Sequence, residues 1–235
     1  MSPMYNIILP TYNEAENLER LVHMIHKEFT GMSREYRVVV VDDNSPDGTF
    51  ARAEALSKTY NVTPVKRCRK LGLASAYAAG LEHCTGEYVF TMDADISHDP
   101  KYLQAFIAAQ NSGCCDVVMS TRYSSEGGVY GWSFWRKMMS RGANNIAQVV
   151  LGIECTDATS GYRLYKRSVL EFLLARATSI GYSIQMEIAY LAEACSMRIA
   201  EVPIVFVDRE RGRSKCGPAE VLYFLVAVLV LFARP

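Results

Sequence analysis

The sequence predicts an α/β domain, a mostly parallel sheet flanked by helices, followed by a short C-terminal apolar helix. Three observations predict it. From residue 5 to 121, short apolar runs alternate with segments of helical period, the rhythm of repeated strand–helix units. Residues 38–41 are four consecutive valines, a β-branched run of the kind buried on both faces of a parallel sheet. The chain has 235 residues, 50% hydrophobic and 21% charged, which suits one large domain with a real core. Residues 1–217 are therefore expected as that domain, and 218–235 as an apolar segment that meets a membrane or a partner.

The elements follow in order. Residues 7–9 are an apolar strand ending at Pro10. Asn13, with Glu16 three positions on, has capping-box spacing, and Leu18, Leu21, Val22, Ile25 and Phe29 follow on one helical face. The valine strand ends in a turn cluster, Asp42 to Gly48. A helix is expected over 50–60, a strand over 62–65, a helix over 73–84 and a strand over 88–92. Asp99-Pro100 reads as N-cap and first helical position, with Gly113 as the stop. A fifth strand lies within 116–121. After Arg122 the rhythm changes to a loop over 123–134, a helix over 135–151, and a strand near 163–165. Helices near 169–175 and 184–195 and one strand across 199–207 complete the pattern.

Lys+Arg and Asp+Glu are equal at 25, which excludes a nucleic-acid partner held by bulk charge. Seven cysteines, an odd number without zinc-type spacing, suit a reducing compartment. Residues 1–6 carry no basic-then-apolar leader pattern.

Ligands of open α/β sheets sit beyond the carboxyl ends of parallel strands. Three such ends here are polar: residues 10–14 (PTYNE), Asp42-Asp43, and Asp93-Ala94-Asp95. Asp93 and Asp95 project to one face and repel unless a cation joins them. Oxygen ligands suit Mg²⁺ or Mn²⁺ bridging to phosphate oxygens, with Ser97 or His98 as a further contact. No Gly-rich phosphate loop of the GxxxxGK[ST] type occurs. Asp42 and Asp43 either face a nucleoside or serve the turn. A basic cluster follows: Arg122 at a strand end, then Arg136 and Ser140 four apart on one helix face, with Arg141. Lys137 reads as a solvated charge. Residues 208–215, DRERGRSK, form a basic loop that could close over a diphosphate or meet anionic lipid. Trp132, Trp135, His23 and His26 read as packing or surface residues, and Ser160-Gly161-Tyr162 is not a nucleophile elbow.

Taken together, PTYNE (10–14), DDNSPDGT (42–49), LGLASAYAAG (71–80), DADISHDP (93–100), TRY (121–123), GGVYGW (127–132), SRGAN (140–144), SGYRLY (160–165), EVPIVFVDR (201–209) and GRSK (212–215) resemble the dolichyl-phosphate mannose synthases. These are inverting family 2 glycosyltransferases with a GT-A (Rossmann-like) fold. The resemblance implies that Pro10, Tyr12, Glu14, Val41 and Asp43 hold the GDP part of GDP-mannose. It implies Asp93, Ala94 and Asp95 at the diphosphate, with Asp93, Asp95 and Ser97 around Mg²⁺ or Mn²⁺. Arg122, Arg136 and Ser140 would place the phosphate of dolichyl phosphate, and Arg209 and Lys215 would act on the diphosphate. Some relatives carry an amide at the position of Ser97. The product would be dolichyl β-D-mannosyl phosphate, a mannose donor for protein glycosylation and GPI anchors. The rivals are a glucose synthase using UDP-glucose and a silent scaffold of a glycosylation complex. A phosphate-monoester nucleophile, with a second pKa of about 6, needs no strong protein base.

Residues 221–232 are 12 apolar residues without a charge. As a helix they reach about 18 Å, short of the roughly 20 residues a bilayer needs. The expectation is a peripheral enzyme on the cytoplasmic face of the endoplasmic reticulum. The segment would lie in the interface or pack on small membrane-spanning subunits.

Overall fold

A computed structural model describes residues 4–179, 181–209 and 218–234. Its strands are β1 (Tyr5–Thr11), β2 (Tyr36–Asp42), β3 (Val62–Lys66), β4 (Tyr88–Thr91), β5 (Val117–Thr121), β6 (Gly128–Tyr130), β7 (Arg163–Lys166), β8 (Ile199–Pro203) and β9 (Val205–Val207). Its helices are α1 (Ala15–Gly31), α2 (Thr49–Leu56), α3 (Leu73–Leu81), α4 (Leu103–Gly113), α5 (Phe134–Leu151), α6 (Arg167–Leu174), α7 (Ile184–Ala194) and α8 (Pro218–Phe232). The predicted α/β class and nearly every element are there.

Seven strands form one sheet in the order β3-β2-β1-β4-β7-β5-β8. β1, β2, β3 and β4 pair in parallel, as do β5 and β8. Alternation along β1 and β2 supplies two cores. Ile7, Leu9, Val38 and Val40 face α1 and α4, while Ile8, Val39 and Val41 face α3 and the C-terminal helices. Burying both faces explains the unbroken valine run.

The sheet is mostly parallel, as the sequence predicts, with β7 antiparallel between β4 and β5. Three expectations are corrected. The single strand expected over 199–207 is two. β8 joins the main sheet, and β9 pairs with β6 in a small ribbon that the loop reading of 123–134 did not contain. Asn13 does not cap α1. It takes a left-handed φ of 58°, and α1 has Glu14 at its N-cap position with no side-chain cap. The amides there donate instead to Ser45 Oγ, Thr49 Oγ1 and Asp47 Oδ2. A distant loop therefore satisfies donors that a helix start leaves open. Likewise Cys114, at φ 46°, takes the left-handed C-cap after Gly113.

No helix among the described residues is long and apolar enough to cross a membrane. α8 is not apolar surface all round: Ala227, Val228 and Leu231 are buried in the second core. Leu222, Leu229 and Phe232 are 60%, 66% and 67% exposed on the rest of it.

α3 meets the sheet closely at Gly80, where an added Cβ would lie 2.7 Å from Ile8 Cγ2 and 3.1 Å from Val41 Cγ2. Alanine gains about 1 kcal/mol of helix propensity over glycine, but overpacking a core costs about 1–3 kcal/mol. Gly80→Ala is therefore expected to lower the melting temperature, and Gly80→Val to lower it further. A rise in either, by calorimetry, would show that α3 can shift off β1.

Candidate functional site

The parallel strands β1, β2 and β4 bring their carboxyl ends to one edge, as the sequence predicts. At the end of β2 the two aspartates separate. Asp42 is fully buried; its carboxylate accepts from the Ser45 amide and hydroxyl and from Thr11 Oγ1. Asp42 thus serves the turn, and the nucleoside reading fails for it. Asp43 lies 3.2 Å from Arg67 Nε at a largely buried ion pair. Arg67 also donates to Ser75, and sequence reasoning missed it. Its only signal was the basic run at 66–70, where one buried arginine looks like its solvated neighbours. Pro10 and Tyr12 are half-buried, Glu14 and Val41 buried. Glu14 accepts from Asn17 Nδ2, and Lys70 lies over the Tyr12 ring.

Beyond β4 the chain turns sharply. Ile96 takes φ 64°, a strained conformation for a β-branched residue that costs about 1–3 kcal/mol. The turn folds Ser97 back onto Asp95, whose Oδ1 accepts from both the Ser97 hydroxyl and amide. Asp95 Oδ2 meets Arg209 Nη2 at 3.0 Å. Burial pushes Asp95 upward, but the Ser97 hydrogen bond and the Arg209 charge outweigh it and hold the carboxyl below its ordinary value. Ala94 is buried between Asp95 and the half-exposed Asp93. His98 Nδ1 accepts from the Asp93 amide. Burial lowers the imidazole pKa despite the nearby carboxylates, so the ring is neutral at pH 7 and its 3.8 Å approach to Asp93 is no ion pair.

These residues fit a divalent cation. Among the described residues no group of three or more His, Cys, Asp or Glu forms a metal cage. Two carboxylates with a hydroxyl suit an ion that completes its shell with waters and phosphate oxygens. A guanidinium already answers the charge of Asp95.

The second cluster is built on Arg122. Its Nε and Nη2 grip Asp157 at 2.6 and 2.8 Å, Nη2 also reaches Thr159 Oγ1, and the Arg122 amide bonds Asp157 too. Burial raises Asp157, yet the Arg122 charge dominates and holds the carboxyl below 3.8. Asp157 carried no sequence signal. Its loop is fixed by the fully buried Arg163, which donates to the carbonyls of Ser160 and Ala158. Asn144 adds a clamp from α5, accepting from the Ala158 amide and donating to Thr159.

Ser133 caps α5 and sets Arg136 in the first turn. Arg136 stacks on Trp132 and pairs with Asp208 at 2.9 Å. Ser140 accepts from Tyr123 Oη at 2.7 Å. Arg122, Arg136 and Ser140 are thus brought to one region by β5 and α5, with Trp132 between the two guanidiniums. Trp132 packs as expected, while Trp135 is 75% exposed. Lys215 lies outside the described residues.

A cavity of about 680 Å³ opens between α7, the end of α5 and β8. Its Glu193 and Glu201 accept from the backbone of residues 154–156, so they brace the Asp157 loop from behind.

The model of glycosyl transferase family 2 matches residues 6–174. A dolichol-phosphate mannosyltransferase from Pyrococcus furiosus is 36% identical over 222 residues, covering 94% of this chain. The chain spans 61% of that relative's length. A polyprenol monophosphomannose synthase from Mycolicibacterium smegmatis is 37% identical over 221 residues, 92% of this chain and 82% of that one. Among solved structures, glucosyl-3-phosphoglycerate synthase from Mycobacterium tuberculosis, with Mn²⁺, UDP and glucosyl-3-phosphoglycerate, is similar with TM-score 0.72 at 19% identity over 99% of this chain and 81% of that one. Mannosyl-3-phosphoglycerate synthase from Rubrobacter xylanophilus gives 0.68 at 18%, over 99% and 73%. At those identities the structures speak to the fold, which they share. The chain belongs to glycosyl transferase family 2, with a dolichol-phosphate mannosyltransferase and a polyprenol monophosphomannose synthase as relatives over most of its length.

Proposed function

We propose that the protein transfers mannose from GDP-mannose to a polyprenyl phosphate of the dolichyl type, with inversion. The observation that carries this is the pairing of two carboxylates at one strand end with a buried arginine and a basic helix beside them. The two relatives' names point to the same transfer. Asp43 and Arg67, with Pro10, Tyr12, Glu14 and Val41, form the nucleoside end. Asp93, Asp95 and Ser97 would hold Mg²⁺ or Mn²⁺, which when bound stabilises charge on the leaving diphosphate. Arg209 would move from Asp95 to the diphosphate, where Lys215 would also act. Arg122 and α5 face the acceptor.

An acceptor phosphate oxygen attacks C1 of the mannose, the C1–O bond to GDP breaks, and the electron pair leaves on the β-phosphate. The nucleophile is already anionic near neutral pH, so the protein orients it and needs no base. A single displacement converts the α-linked donor into a β-linked product.

We place the enzyme peripherally on a membrane, at the cytoplasmic face of the endoplasmic reticulum in a cell that has one. There, small membrane-spanning subunits could share the α8 surface. The exposed faces of α8 and of α5, where Phe134 and Trp135 stand out, support contact with the bilayer interface.

A donor screen decides the function. With a polyprenyl phosphate and Mg²⁺, GDP-mannose is expected to react and UDP-glucose not; the reverse result, or none, overturns the assignment. Asp95→Asn is expected to cut turnover about a hundredfold or more while circular dichroism stays unchanged, and near-normal turnover would remove its metal role. Asp157→Asn breaks a buried ion pair and should cost about 3–5 kcal/mol of stability. Because the folded carboxyl lies below 3.8, its contribution is present above that pH and lost as pH falls through the folded value. Denaturant titrations from pH 6 to 3 should therefore show wild type losing more stability than the variant. Leu229→Ser with Phe232→Ser, both exposed, should abolish flotation with phospholipid vesicles. Flotation left intact would move the contact elsewhere, and resistance to alkaline carbonate extraction would make the protein integral.

A further inference from the structure

Two sequence motifs, residues 71–80 (LGLASAYAAG) and 160–165 (SGYRLY), carry no ligand of the cation or the phosphates. They meet beside Asp93. Tyr77, on α3, is 1% exposed, and Gln185, in the first turn of α7, is 2% exposed. Gln185 Nε2 donates to Tyr77 Oη at 2.8 Å. Gln185 Oε1 is buried without a hydrogen-bond partner among the described residues. A carboxamide offers two donors and two acceptor sites, and leaving them unmet in the interior costs stability. Turning the amide over exchanges the two atoms and leaves the same imbalance. The phenol cannot answer with a charge, because burial and the Asp93 carboxylate both push its pKa up. An amide kept for the fold would be met on both sides, and a leucine would fill the space without that cost.

Gly161 gives this amide a way to the site. Its carbonyl accepts from Thr91 Oγ1 at the end of β4, so it stands at the sheet edge that carries Asp93. It is part-exposed. A Cβ added there would lie 3.1 Å from Gln185 Nε2 and 3.7 Å from Asp93 Oδ1. The bare Cα therefore leaves a notch with the amide nitrogen on one side and the half-exposed carboxylate on the other. Nε2 has a second N–H beyond the one given to Tyr77, and it is the amide atom nearest the notch. A phosphate does not suit this place, because Asp93 repels it. A nucleobase belongs at the end of β2. What remains of a nucleotide sugar is the hexose, which hangs from the diphosphate that Asp93 and Asp95 would hold through a cation. A hydroxyl both donates and accepts, so it can meet the amide and the carboxylate together.

We propose that Gln185, steadied by Tyr77 and reaching the notch over Gly161, binds a hydroxyl of the donor's hexose and so contributes to the choice of sugar. This rests on the proposed nucleotide-sugar donor and names a group that reads its sugar part. A site built to bond one hydroxyl rejects an analogue without it far more strongly than an apolar pocket can, because the buried polar group is left unpaired.

The test compares calorimetric binding of GDP and of GDP-mannose in Mg²⁺, without acceptor. Gln185→Leu with Tyr77→Phe removes both partners of the buried hydrogen bond with little change in volume. The double variant is expected to bind GDP as wild type does and GDP-mannose about tenfold more weakly, the worth of one hydrogen bond. Among the monodeoxy GDP-mannoses, one should bind wild type and variant alike, and it identifies the hydroxyl. The variant's melting temperature should not fall, since apolar groups replace both polar partners. Gly161→Ala, which fills the notch, should weaken GDP-mannose and spare GDP. Unchanged affinity of the double variant for GDP-mannose overturns the proposal, and so does an equal loss for GDP and GDP-mannose. A lower melting temperature also overturns it, because the amide then serves the fold. If wild type binds UDP-glucose in place of GDP-mannose, the proposed donor fails, and the same comparison with UDP and UDP-glucose still decides the role of Gln185. Binding of neither sugar overturns both.

Discussion

The ion pair between Arg122 and Asp157 is the constraint on which the rest of the site depends. Its side chains are 6% and 0% exposed. A buried pair is tolerable only when its remaining polar atoms are satisfied. Here Asp157 accepts from Arg122 Nε, Nη2 and amide, and from Thr159. Meeting that demand requires the 155–160 loop to be held from three directions: Arg163 from β7, Asn144 from α5, and Glu193 and Glu201 from behind. The antiparallel insertion of β7 is what delivers the loop. The guanidinium of Arg122 consequently has one position, and the basic face of α5 is indexed to it.

The strand end after β4 is organised differently. Asp95 is also buried, but its charge is answered by Arg209, which arrives from a segment beyond β9. Asp208 next to it is held by Arg136 on α5. A divalent cation held by Asp93 and Asp95 would take over the countercharge that Arg209 now supplies to Asp95. One half of the site is therefore fixed by a closed hydrogen-bond network, and the other by a charge that can be replaced. The proposed displacement would use that combination: an acceptor held in line, and a leaving group whose countercharge arrives with the donor.

How much of this was legible depended on whether the cause was local. Val38 to Val41, the helical spacing of Leu18 to Phe29, and Asp99-Pro100 as a cap all act within one element, and each is where the sequence placed it. The polar strand ends were legible too, because β1, β2 and β4 are parallel and must end on one side. The sequence by itself determined the α/β class, the sheet edge at which the polar strand ends meet, and the carboxylate and arginine types gathered there.

Only the tertiary structure decided what long-range pairing controls. It gave Asp42 to the turn and Asp43 to Arg67. It capped α1 with Asp47 and Thr49 instead of Asn13. It split the strand over 199–207 at Ile204, because Phe206 on β9 packs against His98 and Trp132 while β8 stays in register with β5. It singled out Asp157 from ordinary loop aspartates. The physical reason is the same in each case. A charge or an open backbone donor must find a partner, its own sequence states only the need, and folding selects the partner.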